Sequence, residues 1–195
     1  MNLISFIREN VRWLAAGMLL TFISSFGQTY FISIFANEIQ AEFGLSHGQW
    51  GSIYFLGTIT SGFLMIWAGG TADHFRLRTL AILVILTLSV LCLAMSAVAS
   101  WWMLVFIIFG LRFTGQGMTS HIAVVAMARW YVQARGKALS VTGVGYSIGE
   151  ALLPFLFVGF LLNGSWRNLW VIAATIAGLS IPTLMWLLKE ERVPS

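Results

Sequence analysis

Charged residues are scarce in this sequence. Asp, Glu, Lys and Arg make up 9% of the 195 residues, against about 25% in an ordinary soluble domain. So few charges cannot cover a water-exposed surface, which excludes a soluble globular enzyme. Hydrophobic residues make up 58%, and this excludes a disordered chain, because disorder requires low hydrophobicity and high net charge. The remaining class is an integral membrane protein.

Cysteine is nearly absent as well. Cys92 is the only one and lies within an apolar run, so no internal disulfide can form. No cluster of His, Cys and acidic residues recurs at ligand spacing, and we expect no metal site and no cofactor. The basic residues lie between apolar runs rather than in one patch, which argues against a nucleic-acid partner.

Long apolar segments make up most of the sequence. A helix needs about 20 residues to cross the hydrocarbon core, and a lone chain in lipid must satisfy its own backbone. These runs are too long and too continuous for barrel strands. The sequence therefore predicts an all-α integral membrane protein with a single six-helix domain over residues 1–195. The predicted spans are about 13–36, 49–70, 79–99, 102–128, 137–162 and 168–188.

The basic residues are distributed unevenly between the two sides of these spans. Nine of the 11 Lys and Arg residues lie in the termini and in the second and fourth loops. The first, third and fifth loops together hold only Arg167, and Arg112 lies inside the fourth span. Since cytoplasmic loops carry the excess of Lys and Arg, both termini are predicted to be cytoplasmic.

Two opposite charges lie within predicted spans. At 1.5 Å per residue, Arg112 is about 16 Å and Glu150 about 18 Å from the outer ends of spans four and five. Successive antiparallel helices are neighbours, so we predict a buried Arg112–Glu150 ion pair near the midplane. The pair either only fixes helix packing or breaks during transport, when a substrate anion binds Arg112 or a proton neutralises Glu150.

Polar side chains form stripes on spans one, two and four. Interhelical hydrogen bonds would explain any one of them, but a polar stripe in lipid must face protein or a wet cavity. Several striped helices favour a shared cavity, whereas the bland spans three and six suit the lipid-facing periphery. The residues predicted to line the cavity are Arg112, Glu150, Gln28, Tyr54, Gln116 and Ser147.

Spans one to three and four to six share one pattern, two polar helices followed by a bland one. An odd number of spans per unit inverts the second unit, so the pattern predicts a 3+3 inverted repeat. In span five, Gly145 and Gly149 form a small-residue surface for close helix contact. The same segment, 145–149, matches the Gly-x-Ser-x-Gly motif of serine hydrolases. It lacks the strand–turn–helix context of that motif, and we predict no enzyme activity.

Three segments resemble signatures of the major facilitator superfamily. The loop 69–78 resembles the loop between helices two and three, with Gly69, Asp73 and Arg78 at matching positions. The segment 112–117 resembles the helix-four signature, and the pair at 166–167 resembles the start of helix six. The resemblance covers nearly the whole chain and implies the N-terminal six-helix half of a prokaryotic permease in a bacterial inner membrane.

The resemblance implies secondary active transport of a small solute by alternating access, with Gly69, Asp73 and Arg78 in a cytoplasmic gate. Arg112 favours an organic anion as the solute, although pairing with Glu150 would leave it no spare charge. A complete member has twelve helices, so we expect a second six-helix chain or a second copy as partner, beside the lipid bilayer and the solute. The alternative is a non-transporting membrane scaffold or a truncated transporter fragment.

Overall fold

In a computed structural model that describes residues 2–162, 164–190 and 192, the chain is a bundle of helices without strands. Six helical rods follow one another in this described part of the chain, and the first is bent by 44° between two arms. Five rods are long and apolar enough to cross a membrane, and six are if the bent rod is one span. They are α1 (Leu3–Gly27 with Thr29–Phe43), α2 (His47–His74), α3 (Leu77–Ser96), α4 (Trp101–Trp130), α5 (Arg135–Leu161) and α6 (Trp166–Leu187).

Each predicted span falls on one of these rods, and the rods extend past several predicted ends. α1 begins ten residues before the predicted start at 13, because the Asn2 side chain accepts a hydrogen bond from the Ser5 N–H at 2.9 Å. α2 begins with a capping box, in which Ser46 and Gln49 each accept from the other's N–H. Between these rods Gly44 ends α1 in the left-handed conformation, at φ 62°.

Small residues allow α1 to lie directly against α5. A side chain on Gly145 would collide with the Met18 backbone, and one on Gly149 would collide with the Ser25 hydroxyl. The Thr21 hydroxyl donates to the Thr142 carbonyl at 2.7 Å across the same contact. The predicted close-contact surface of Gly145 and Gly149 is therefore confirmed.

Arg167 joins three elements at the end of the bundle opposite the termini. It pairs with Glu42 at 2.5 Å and donates to the carbonyls of Ser96 at 2.8 Å and Val98 at 2.7 Å. Trp166 donates to the other Glu42 oxygen at 2.8 Å. Glu42 lies beyond the predicted span 13–36, and the Arg167 guanidinium lowers the pKa of its carboxyl group.

The helices differ in how much of their surface this chain buries. Within their most apolar stretches, 33% of α3 and 39% of α6 are buried, but only 17% of α2 and 22% of α5. The sequence predicted α3 and α6 at the periphery, whereas α2 and α5 are the least covered. The physical reason is that α3 and α6 pack against each other, with Ser89 donating to the Ala174 carbonyl at 2.8 Å.

Candidate functional site

The first part of the site is the break in α1. Residues Ser24–Gly27 wind into a tighter 3₁₀ turn, and Gln28 is then extended, with φ −82° and ψ 154°. A short helical segment, Thr29–Ile32, follows. An interruption of this kind exposes backbone carbonyls that a continuous helix would have used. Broken helices near mid-membrane are where transporters of known folds bind substrates and ions.

The second part is an irregular stretch of α4. The helix is regular as far as Leu111 and then widens into a π-helix over Arg112–Thr119. Within it the Thr119 hydroxyl donates to the carbonyl of Thr114, five residues earlier, at 2.6 Å. π-Helical turns are rare and occur frequently at functional sites.

The break and the π-helix touch through their backbones. A Cβ atom added to Gly115 would lie 2.6 Å from the Cα of Gly27, and one on Gly27 would collide with the Leu111 carbonyl. Only glycine permits this approach at both positions. The contact holds the start of the π-helix against the open carbonyls of α1.

Arg112 lies where the break and the π-helix touch. Its side chain is buried, and Nη1 donates to the Gly27 carbonyl at 3.2 Å and to the Thr29 hydroxyl at 3.0 Å. The guanidinium also lies 5.6 Å from the centre of the Tyr54 ring, on α2. Its buried Nε has no hydrogen-bond partner among the described residues. Arg112 is thus held by neutral groups of α1 and α2.

The predicted ion pair between Arg112 and Glu150 is wrong. Ion pairs between described residues join Arg12 to Glu190 and Arg167 to Glu42, and Arg112 and Glu150 form none with each other. Matched depth alone does not bring the two side chains together, because α1 packs against α5 through Gly149. Glu150 is rotated one position past that contact and is exposed.

A tyrosine cluster, Tyr30 with Tyr146, lies near Glu150 and Arg112. Tyr30 donates to the Ser25 hydroxyl at 2.7 Å, and its ring meets the ring of Tyr146 edge to face, with centroids 5.8 Å apart. Tyr146 is close enough to both Glu150 and Arg112 to interact electrostatically with each. The two charged groups therefore share one aromatic neighbourhood without touching.

The remaining predicted lining residues divide into two groups. Gln28 is buried in the break, and the Tyr54 hydroxyl donates to Thr29 at 3.0 Å, beside Arg112. Gln116 and Ser147 are exposed instead. The structure thus brings Arg112, Gln28 and Tyr54 to the break and leaves the other two on open surfaces of α4 and α5.

Sequence reasoning missed Thr29, whose hydroxyl oxygen accepts from both Arg112 and Tyr54. A polar stripe at spacings of three and four assumes a continuous helix, so the stripe predicted for span one ends at Gln28 and leaves out Thr29. The signal in the sequence is the small, flexible Gly27 directly before Gln28, which permits the interruption.

The predicted gate residues lie at the end of the bundle that holds the termini. His121 Nε2 is 3.0 Å from the Gly69 carbonyl, and Arg129 donates to the Ala72 carbonyl at 3.1 Å. Asp73 itself is exposed, and Arg78 is partly exposed. The contacts of this loop with α4 run through its backbone carbonyls.

The bent first rod, the π-helix and the six-rod bundle describe a multi-pass membrane protein. The sequence matches the Major Facilitator Superfamily over residues 17–195. The chain therefore belongs to the Major Facilitator Superfamily, and the predicted all-α fold, half of that family's fold, is confirmed. Membership supports a role in membrane transport in general and points to a transporter rather than an enzyme.

The structure is similar to that of a bacterial homolog of the human lysosomal transporter Spinster, solved in an inward-facing and unoccupied conformation. The TM-score is 0.78 at 20% sequence identity, and the match covers 95% of this chain. At this identity the likeness shows the fold. The chain spans 44% of the length of that protein. Comparison with curated proteins gives no significant match.

Proposed function

We propose that this chain is one half of a secondary active transporter that moves a small organic anion by alternating access. Arg112 carries the proposal, since it is a buried cation with neutral partners at a broken helix. A charge at the bilayer centre costs about 2.5–3.5 kcal/mol on the insertion scale. An anion that met the guanidinium at the break would offset that cost.

The absence of an Arg112–Glu150 pair strengthens the choice of an anion. A guanidinium already paired with a carboxylate would have no spare charge, whereas Arg112 keeps its charge available and its Nε lies buried without a described partner. Gln28 and Tyr54 supply further polar groups beside it. A carboxylate ligand fits this arrangement, because guanidinium groups bind carboxylates through parallel hydrogen bonds.

Glu150 has the opposite charge to Arg112 and shares the tyrosine cluster with it. An ionised Glu150 would repel an anion bound at Arg112, and protonation would remove the repulsion. We therefore assign Glu150 the role of proton carrier in a proton-coupled cycle. Ser147 and Gln116, on the exposed surfaces nearby, would contact the solute once the site is closed.

The site is proposed to close against a second six-helix unit, either another chain or a second copy. α2 and α5 are the least buried rods, although both are apolar. Four of the glycines within their predicted spans have no atom of another helix within 4 Å of the point where a Cβ would lie, which leaves room for a close helix partner. They are Gly51, Gly62, Gly143 and Gly159.

The proposal also includes a cytoplasmic gate and an orientation of the chain in the membrane. Gly69, Asp73 and Arg78 lie at the end of the bundle where most basic residues are found, which the positive-inside rule assigns to the cytoplasm. The loop that holds them would open and close the cytoplasmic entrance, with both termini on that side of a bacterial inner membrane.

A thermal-shift panel tests the solute class on the purified full chain. Small carboxylates should raise the unfolding temperature, whereas sugars and amines of similar size should not. Arg112→Gln should abolish the carboxylate effect, and Arg135→Gln, a change at an exposed basic residue on α5, should leave it intact. Stabilisation by neutral solutes alone would contradict the anion class. No stabilisation by any solute, in the chain or in a twelve-helix assembly, would favour a scaffold.

A further inference from the structure

A cavity, separate from the α1 break, lies at the end of the bundle that holds the termini. Its volume is about 820 Å³, and it lies between the α2–α3 connection, the end of α4 and the residues after α6. Among the described residues that line it, basic side chains outnumber acidic ones by five to two. The basic ones are Arg76, Arg78, Arg129, Lys189 and Arg192.

The described acidic side chains of the lining do not pair with Arg76, Arg78 or Lys189. Glu190 is paired with Arg12, outside the cavity lining, at 3.2 Å. Asp73 is exposed, and neither Arg76 nor Arg78 has a described carboxylate oxygen within 4 Å. The charges of Arg76, Arg78 and Lys189 therefore remain available to an anion.

One wall of the cavity is apolar and continuous with the outer surface of α3. Leu83 lines the cavity and is 56% exposed. An exposed apolar stripe runs from it along α3 at spacings of three and four, through Leu86, Val90 and Leu93. A free inorganic anion would need the basic groups only, whereas a lipid would use the basic groups and the stripe together.

We propose that this cavity binds the headgroup of an anionic phospholipid. The phosphate lies among Arg76, Arg78 and Lys189, and an acyl chain follows the α3 stripe from Leu83 outward. Basic pockets between helices at a membrane surface recognise anionic headgroups in this way. The inference does not depend on the proposed transport function.

Native mass spectrometry of the full chain tests the proposal, with phosphatidylglycerol titrated against phosphatidylcholine of the same acyl chains. Phosphatidylglycerol should bind more tightly. The double variant Arg76→Gln/Arg78→Gln should bind it about thirtyfold more weakly, as two basic groups at about 1 kcal/mol each imply. The control Arg8→Gln/Arg135→Gln removes the same charge from exposed positions outside the cavity, and should change binding less than threefold.

Three outcomes overturn the proposal. They are equal binding of the two lipids, an equal loss in the control variant, and competition by soluble glycerol phosphate at the concentration where the lipid binds. Competition by soluble glycerol phosphate would show that the cavity binds a free phosphate. If the double variant does not fold, Lys189→Gln, at an exposed residue, replaces it, and an affinity within twofold of the unmodified chain then contradicts the site.

Discussion

The α3–α6 pair and the α1–α4 pair differ in how they satisfy their backbone polar groups in lipid. α3 and α6 are continuous over their described lengths, and a hydroxyl-to-carbonyl bond joins them at Ser89. α1 is interrupted at Gln28, and α4 widens over Arg112–Thr119. A continuous helix satisfies its own backbone. The irregular pair leaves carbonyls open and holds a buried cation with one of them, so we propose that the irregular pair is the functional region and the regular pair its frame.

The largest expected effect tests the backbone contact of the irregular pair. Gly115→Ala places a Cβ 2.6 Å from the Gly27 Cα, and the backbone there cannot yield as a flexible side chain could. The unfolding free energy in mixed micelles should fall by about 3 kcal/mol, the upper end for overpacking.

Gly136→Ala on α5 is the control, because no atom beyond its chain neighbours and its own helix backbone lies within 4 Å of the added Cβ. Its unfolding free energy should change by less than about 0.5 kcal/mol. Equal effects of the two substitutions would remove the claimed contact between the break and the π-helix.

A smaller effect is expected at Thr29, which the irregular pair uses to hold Arg112. Thr29→Val removes the hydroxyl that accepts from Arg112 and Tyr54, and should lower the unfolding free energy by about 1 kcal/mol. Thr29→Ser retains the hydroxyl and should unfold like the unmodified chain. A valine variant as stable as the serine variant would mean that this hydroxyl is not needed.

The regular pair should respond more weakly to the loss of a hydrogen bond. Ser89→Ala removes the bond to the Ala174 carbonyl, and such bonds between membrane helices average about 0.6 kcal/mol. Carboxylate binding should be unchanged, because the bond lies in the frame. A loss of carboxylate binding in this variant would break the distinction between frame and functional region.

The smallest effect is a pH dependence of stability at the end of the frame opposite the termini. Arg167 lowers the folded-state pKa of Glu42, so the pair stabilises the fold above the ordinary carboxyl pKa and less as pH falls through the lowered value. The stability difference between the unmodified chain and Glu42→Gln should therefore be present at pH 7 and shrink below about pH 4. A difference that grows on acidification would contradict the pairing.

The course of the helices could be predicted from the sequence, and the functional region only in part. Hydropathy located the six rods, and Gly145 and Gly149 predicted a close helix contact of α5, which the structure shows to be with α1. The burial of Arg112 followed from its place in span four. The ion pair failed because equal depth does not fix rotation about a helix axis. The break and the π-helix change the helical phase, so a pattern that assumes 3.6 residues per turn overlooked Thr29.

The central claim is that Arg112 is an unpaired buried cation available to a solute anion. Carboxylate titration by calorimetry at pH 7 tests it most directly, comparing Arg112→Gln with Glu150→Gln. Loss of binding in the Arg112 variant, with binding kept or strengthened in the Glu150 variant, is the predicted result. An equal loss in both variants, as a functional ion pair would produce, or full binding in the Arg112 variant, would contradict the account.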